Sequence, residues 1–324
     1  MPHAIRIHAH GGPEVMQWES VDPGEPGRSE VLIRQTAVGL NFIDVYERSG
    51  LYANALPSGL GREGAGVVEA VGPGTRGVAV GDRVAYVHDQ PGAYAQYRVM
   101  PAARLVRIPD GVSDRLAAAA MLKGLTAQVL LRRTHRVKKG DTVVMHAASG
   151  GVGLIASQWA RHLGATVIGV VGSESKAAMA REHGCHHVLA PGAGSLAQRV
   201  RELTGGRGAD VVYDSVGRDT FLESLDCLRP LGLMVSFGNA SGPVPPIQPL
   251  ELARRGSLFL TRPVLFHYVA RRSDLDAAAR DLFKVIGQGV VRIEIGQTYA
   301  LEDVAQAHRD LEGRRTMGST VLIP

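Results

Sequence analysis

The stretch Ala147–Gly164 reads AASGGVGLIASQWARHLG. Gly150, Gly151 and Gly153 stand directly after the short apolar run Thr142–His146 and directly before an apolar stripe at Val152, Ile155, Ala156, Trp159, Ala160 and Leu163. The run reads as a strand buried on both faces. The stripe reads as one face of a helix over Leu154–Leu163. A glycine-rich turn between a strand and a helix suits a diphosphate, because bare main chain can approach the phosphates while the helix N-terminus offers unpaired N–H groups and partial positive charge. In the spacing G-x-G-x-x-G, Ala148 takes the first place, Gly150 the second and Gly153 the third. The second glycine then admits the pyrophosphate, and the third lets helix and strand pack closely. The alternative is a structural turn with no ligand. The flanking strand, the helix and the run of similar units that follows favour the dinucleotide.

The tip of the next strand discriminates between cofactors. NAD enzymes place an acid there to hold the ribose hydroxyls. Here the tip is Val171-Gly172-Ser173, followed by Glu174 and Lys176. A serine hydroxyl and a lysine ammonium suit the additional 2′-phosphate of NADPH. Glu174 could bind a ribose if it turned inward, although a first-turn acid facing solvent is the simpler reading. Lys176 could equally be a surface charge.

Zinc needs three or four Cys, His, Asp or Glu ligands converging on a point. The chain has two cysteines, Cys185 and Cys227, with no CxxC. Gly61-Arg62-Glu63 carries arginine where a ligand could stand. His8 and His10 alternate on an expected strand, and His186 and His187 are adjacent, yet neither pair has evident partners. No metal is expected. Two cysteines without a framework fit reduced thiols and a cytoplasmic protein. The N-terminal MPHAIRIHAHGG lacks the apolar stretch of a signal peptide, and no run approaches a membrane span. The net charge of +5 favours an anionic ligand but does not announce nucleic acid.

These residues need scaffolding. The first third has short strand-like runs at Glu30–Ala37, Gly66–Val71 and Asp82–Tyr86, broken by PGEPG, VGPGTRG and QPGAY, as in a β-rich barrel or sandwich. Ser113–Leu131 reads as helix. From Gly140 to about Arg262 strands and helices alternate, which demands a parallel sheet. A helix at Asp274–Gln288 and a strand at Ser319–Ile323 close the chain.

Several motifs together resemble the zinc-independent quinone oxidoreductases of the medium-chain dehydrogenase/reductase superfamily, relatives of zeta-crystallin. They are NFIDVYERSGLY (Asn41–Tyr52), LPSGLGREGAGVV (Leu56–Val68), LKGLTA (Leu122–Ala127), HAASGGVG (His146–Gly153), VVYDSVGRDT (Val211–Thr220), GLMVSFGNASG (Gly232–Gly242) and GRRTMGSTVLIP (Gly313–Pro324). The resemblance spans nearly the whole chain. It implies an α/β protein: a GroES-like β-rich substrate domain from residues 1–122 and 263–324, and a Rossmann-type doubly wound parallel sheet domain over 123–262 that binds NADPH. It implies reduction of a quinone, or another small electrophilic acceptor, by hydride or one-electron transfer without metal, the nicotinamide lying in the interdomain cleft.

By motif match, Asn41 and Tyr46 would be catalytic and border nicotinamide and quinone, with Thr126 on the nicotinamide side. Gly150, Gly151, Val152 and Gly153 would cradle the pyrophosphate. Ser173, Lys176 and Arg314 would meet the 2′-phosphate, and Ser215 and Phe237 would flank the adenosine and nicotinamide path. Pro191 stands where the bacterial relatives carry a tyrosine near the 2′-phosphate, which weakens the expected preference for NADPH. The resemblance also implies a homodimer, with Leu258–Phe266 extending the cofactor-domain sheet. Two rival functions share the pattern. One is an enone, alkenal or enoyl-thioester reductase. The other, of a different class, is an RNA-binding or structural crystallin-like protein, although no RGG run or aromatic-basic tract supports RNA.

Overall fold

The computed structural model describes residues 1–192 and 194–324. The chain divides into two compact units. The first comprises Met1–Leu125, Val269–Phe283 and Ile293–Pro324; the second comprises Thr126–Tyr268 and Lys284–Arg292.

The first unit is organised around the 11-residue strand Glu30–Leu40. It pairs antiparallel with Glu63–Val71, with Tyr97–Pro101 and with Ser319–Ile323. Arg83–Val87 and Leu105–Arg107 continue the sheet beyond Glu63–Val71, and Ile295–Ala300 lies parallel to Ser319–Ile323 at the opposite edge. Alternation along the central strand sends Val31 and Ile33 into a core shared with Val68, Val84, Leu105 and Leu322. Each such side chain contributes about 1.5–3 kcal/mol when fully removed from water. A smaller three-stranded sheet joins His3–Ile7 to Met16–Ser20 and Ser58–Gly59.

Among the described residues the second unit holds six parallel strands. In spatial order they are His187–Leu189, Thr166–Val170, Thr142–Met145, Ala209–Asp214, Leu228–Ser236 and Phe259–Thr261. Numbered within the unit, that order is 3-2-1-4-5-6, the doubly wound arrangement. Val143, Val144, Val211 and Val212 are wholly buried, as strands covered on both faces require. The order reverses between Thr142–Met145 and Ala209–Asp214, and ligands of such sheets bind beyond the carboxyl ends of the strands flanking that reversal.

Three local expectations change. The helix after the glycine turn begins at Gly151, not Leu154, so two glycines lie in its first turn, where several N–H groups have no intrahelical acceptor in any case. Residues 258–266 do not form one strand: Phe259–Thr261 is extended, Pro263 lacks the N–H a longer ladder needs, and Leu265–Tyr268 is helical. His8 and His10 lie outside the strand, which ends at Ile7, and His8 pairs with Glu19. Among the described residues no helix is long and apolar enough to cross a membrane.

Candidate active site and nucleotide-binding loop

The helices used below are α1 (Phe42–Arg48), α2 (Asp114–Val129) and α3 (Gly151–His162).

The strand Thr142–Met145 delivers His146 and the turn Ala147–Gly150 to the point of strand-order reversal. Ala147 takes a left-handed conformation, φ 50°, which reverses the chain within one residue. A Cβ on Gly153 would lie 2.3 Å from the Ala147 carbonyl oxygen and 2.7 Å from the Ala148 Cα. The third fingerprint position therefore has room for glycine alone. A Cβ on Gly150 would meet only the Ala147 oxygen, at 3.2 Å, so on one side this residue is open. The loop thus presents an uncovered backbone at the start of α3, the arrangement that suits a diphosphate. Gly151 and Val152 occupy the first turn of α3 and are partly exposed.

The neighbouring loop is fixed by Asp214, which ends Ala209–Asp214 and is fully buried. Its Oδ1 accepts from the N–H groups of Val216 (2.7 Å) and Gly217 (3.1 Å). Its Oδ2 accepts from the hydroxyls of Thr220 (2.7 Å) and Ser224 (2.8 Å). Ser224 Oγ also lies 2.9 Å from His146 Nε2. A carboxylate only accepts, so the single Ser224 hydrogen points at Asp214, and His146 Nε2 must carry a hydrogen and donate it. Burial lowers the His146 pKa, so the ring is neutral and its tautomer is set. One bonded chain therefore ties together the loops on both sides of the reversal.

The same framework places other expected residues. Ser215 and Phe237 are both partly buried, and they follow adjacent parallel strands, the Phe237 N–H donating to the Asp214 carbonyl at 2.7 Å. Ser173 precedes a helical turn at Glu174–Lys176 and shares a 2.9 Å hydrogen bond with the Ser175 hydroxyl. Lys176 is half-buried in that turn, and Thr126 is half-buried on α2. These residues all belong to the second unit.

Asn41, Tyr46 and Arg314 belong to the first unit. Asn41 caps α1, its N–H donating to Asp44 Oδ2 at 2.9 Å. Tyr46 lies one turn into the helix, against Phe42 (centroids 6.1 Å apart) and edge-on to Tyr52 (5.1 Å). Arg314 is exposed, φ 57°, just beyond the helix Val304–Glu312.

Two residues that the motif reading passed over lie beside Asn41. Glu63 is fully buried, and its Oε1 accepts from Asn41 Nδ2 and from Lys123 Nζ, both at 2.8 Å. A charged residue inside an apolar strand start, GREGAGVV, and a lone lysine in the Ala-rich α2 were the available signals. Beneath α1 lies a second buried group. Arg48 bonds Glu312 twice, at 2.9 and 2.8 Å, and meets His308 Nδ1 at 2.9 Å. Tyr94 donates to Asp44 Oδ2 at 2.8 Å and lies 3.1 Å from His308 Nε2. Burial, then the Arg48 charge, lowers His308 to about 3. Burial, then the neighbouring Glu47 charge, raises Asp44 to about 8.

Comparison with known proteins follows the same division. Residues 27–110 match the alcohol dehydrogenase GroES-like domain family, and residues 151–284 match the zinc-binding dehydrogenase family. The chain is 52% identical to a quinone oxidoreductase of Pseudomonas aeruginosa, with both chains covered in full. It belongs to the quinone oxidoreductase family of medium-chain dehydrogenases/reductases. It is also 48% identical to a 2-haloacrylate reductase of a Burkholderia species, over 100% of this chain and 99% of that one. The crystal structure of Escherichia coli quinone oxidoreductase complexed with NADPH superposes with a TM-score of 0.97 at 46% identity, covering 99% of this chain and 100% of that one.

One of the matched families is described by zinc, so the donor set matters. Among the described residues no group of three or more His, Cys, Asp or Glu converges. The buried polar cluster at Asn41 offers one carboxylate, and that carboxylate faces an ammonium, which has no lone pair. This set does not fit zinc. The glycine loop, by contrast, fits a dinucleotide, because its open backbone and helix start provide donors without side chains in the way.

Proposed function

We propose that this chain reduces quinones with NADPH, and that no metal takes part. The observation that carries the reading is the glycine loop: an uncovered Gly150 and a close-packed Gly153 at the strand-order reversal of a 3-2-1-4-5-6 sheet. The likeness of nearly the whole chain to a quinone oxidoreductase complexed with NADPH supports it.

When bound, NADPH supplies the hydride. The backbone of Gly150–Gly153 holds the diphosphate at the positive end of α3. Ser173, Lys176 and Arg314 are assigned to the 2′-phosphate, and Thr126, Ser215 and Phe237 to the remainder of the nucleotide. Asn41 and Tyr46 are assigned to the acceptor. As hydride arrives, negative charge grows on the acceptor oxygen, and donors fixed in advance stabilise it without reorganising. Tyr46 can add an O–H to the Asn41 amide in this role and can pass its proton to the reduced oxygen. Orientation supplies the rest of the rate.

The chain is further proposed to form a homodimer through the edge strand Phe259–Thr261. Among the described residues that strand pairs only with Leu228–Ser236, and it exposes Phe259; an open apolar edge invites pairing. The cytoplasm is the proposed location, consistent with two buried free cysteines. The test is NADPH and NADH oxidation by purified protein across a panel of quinones, 2-alkenals, a 2-haloacrylate and an enoyl thioester. Turnover of quinones with NADPH is the expected result. Turnover confined to the acrylate or the alkenals would replace the quinone reading.

A further inference from the structure

We propose that Glu63 and Lys123 are positioning residues: together they fix the Asn41 carboxamide so that one of its N–H bonds is engaged within the protein and the other is held for the acceptor oxygen. The proposal rests on the assignment of Asn41 to the acceptor. By this account neither Glu63 nor Lys123 touches the substrate.

The geometry is specific. Glu63 begins the strand Glu63–Val71 and is fully buried. Its Oε2 accepts from the Leu122 N–H at 2.5 Å. Its Oε1 accepts from Lys123 Nζ and from Asn41 Nδ2, each at 2.8 Å. An ionised carboxylate offers lone pairs and no hydrogen, so it admits only the nitrogen end of the Asn41 amide. Asn41 has two hydrogens on that nitrogen, and one points at Glu63. The other is left to a ligand.

Lys123 makes this discrimination possible. It is 5% exposed, as a lysine seldom is without a partner. A buried acid with no cation beside it would take up a proton, and a carboxyl group can donate as well as accept. Such a group would accept either end of the amide. Lys123 Nζ, the Leu122 N–H and Asn41 Nδ2 all donate to the Glu63 carboxyl group, so every contact it makes uses it as an acceptor.

Two further features serve the same anchor. A Cβ on Gly39 would stand 2.2 Å from Glu63 Oε1 and 2.5 Å from the Ala118 carbonyl oxygen, so the carboxylate reaches Asn41 only because residue 39 has no side chain. The Asn41 main chain is tied separately, by its N–H to Asp44, to the first turn of the helix that carries Tyr46. The Asn41 side chain is thus held by the buried Glu63–Lys123 pair, and its main chain by the helix that carries Tyr46.

Full-length chain labelled with 15N-asparagine tests the anchor without turnover. The Asn41 side-chain signals, assigned by their loss in N41S, are expected to include one slowly exchanging low-field hydrogen that E63Q removes. Kinetics test its purpose. With NADPH and a benzoquinone, K123M is expected to lower kcat on the order of 100-fold, the scale of a misdirected group or a lost donor, while NADPH affinity stays within about twofold. K123R is expected to restore most of the rate. Because K123M leaves a buried acid without its cation, K123M/E63Q provides a neutral pair: its thermal midpoint should recover while kcat stays low, since a glutamine no longer dictates which end of Asn41 faces it. Recovery of kcat together with stability overturns the proposal, as does an Asn41 amide that exchanges like exposed asparagines. If the wild type reduces no quinone, the functional reading falls and the exchange measurement alone decides the anchor.

Discussion

A methyl group placed on Gly153 would stand 2.3 Å from the carbonyl oxygen of Ala147. The two residues are six apart in sequence, and their approach sets how tightly α3 packs under the glycine turn. Gly153→Ala should lower stability by about 1–3 kcal/mol, the usual cost of overpacking, and weaken NADPH binding. Gly150→Ala should lower stability less than Gly153→Ala does, since its Cβ meets one atom, at 3.2 Å rather than 2.3 Å, yet weaken NADPH at least as much. Urea unfolding and fluorescence titration with NADPH separate the two effects. Equal NADPH affinity in Gly150→Ala and wild type would remove the diphosphate from this loop.

Lys176→Glu should raise KM for NADPH on the order of 10- to 100-fold, the span of one charge-assisted bond at about 1.5–3 kcal/mol. KM for NADH should change little. Steady-state kinetics with both cofactors decide the matter. A matching rise for NADH would mean that Lys176 serves the whole nucleotide or the fold.

Ser224→Ala severs the link between the loops on either side of the strand-order reversal. It leaves the His146 Nε2–H buried without its acceptor, which costs about 1–3 kcal/mol. Denaturant unfolding should register that loss, and NADPH affinity should fall with it, because Asp214 also anchors the turn that follows Ser215. A variant with lower stability but unaltered affinity would confine Ser224 to the fold.

Stability should decline between about pH 6.5 and 8. Burial, with Glu47 alongside, raises Asp44 to about 8, so the folded state holds a proton that the unfolded chain has released, and the stability this provides is lost as pH rises through the folded value. Across that window the loss amounts to about 2 kcal/mol, at 1.36 kcal/mol per pH unit. His308, lowered to about 3 mainly by burial, acts in the opposite sense: its stability is lost as pH falls below about 6.5. Between pH 6.5 and 8 Asp44 therefore acts without it. Thermal midpoints of the wild type should fall across this range, and those of Asp44→Asn should stay level.

The cofactor half of the molecule was readable because its signals are local. Thr142–Met145 and Ala209–Asp214 are short apolar runs bounded by turns, and the glycine fingerprint is contiguous. Periodicity could not give the helix start, because Gly151–Gly153 adopt helical backbone against their own low propensity once the helix packs on the strand. The strand Ile295–Ala300 and the helix Val304–Glu312 escaped notice. The strand alternates half-buried with exposed residues, IGQTYA, and mixes small and polar side chains, so it carries little apolar contrast. Glu63 and Lys123 escaped for another reason: a buried ion pair is a property of two positions 60 residues apart in the sequence, and neither residue taken alone announces burial.

The pairing of Leu40 with Thr320 orders events during synthesis. The strand Glu30–Leu40 emerges early from the ribosome, but one of its neighbours, Ser319–Ile323, is made nearly 300 residues later. The parallel sheet of the second unit draws its six strands from one uninterrupted segment, Thr142–Thr261, and can assemble while the earlier strand still waits. A nascent chain would then hold a formed nucleotide fold beside a sheet with an unsealed edge, the stage at which a chaperone has most to protect.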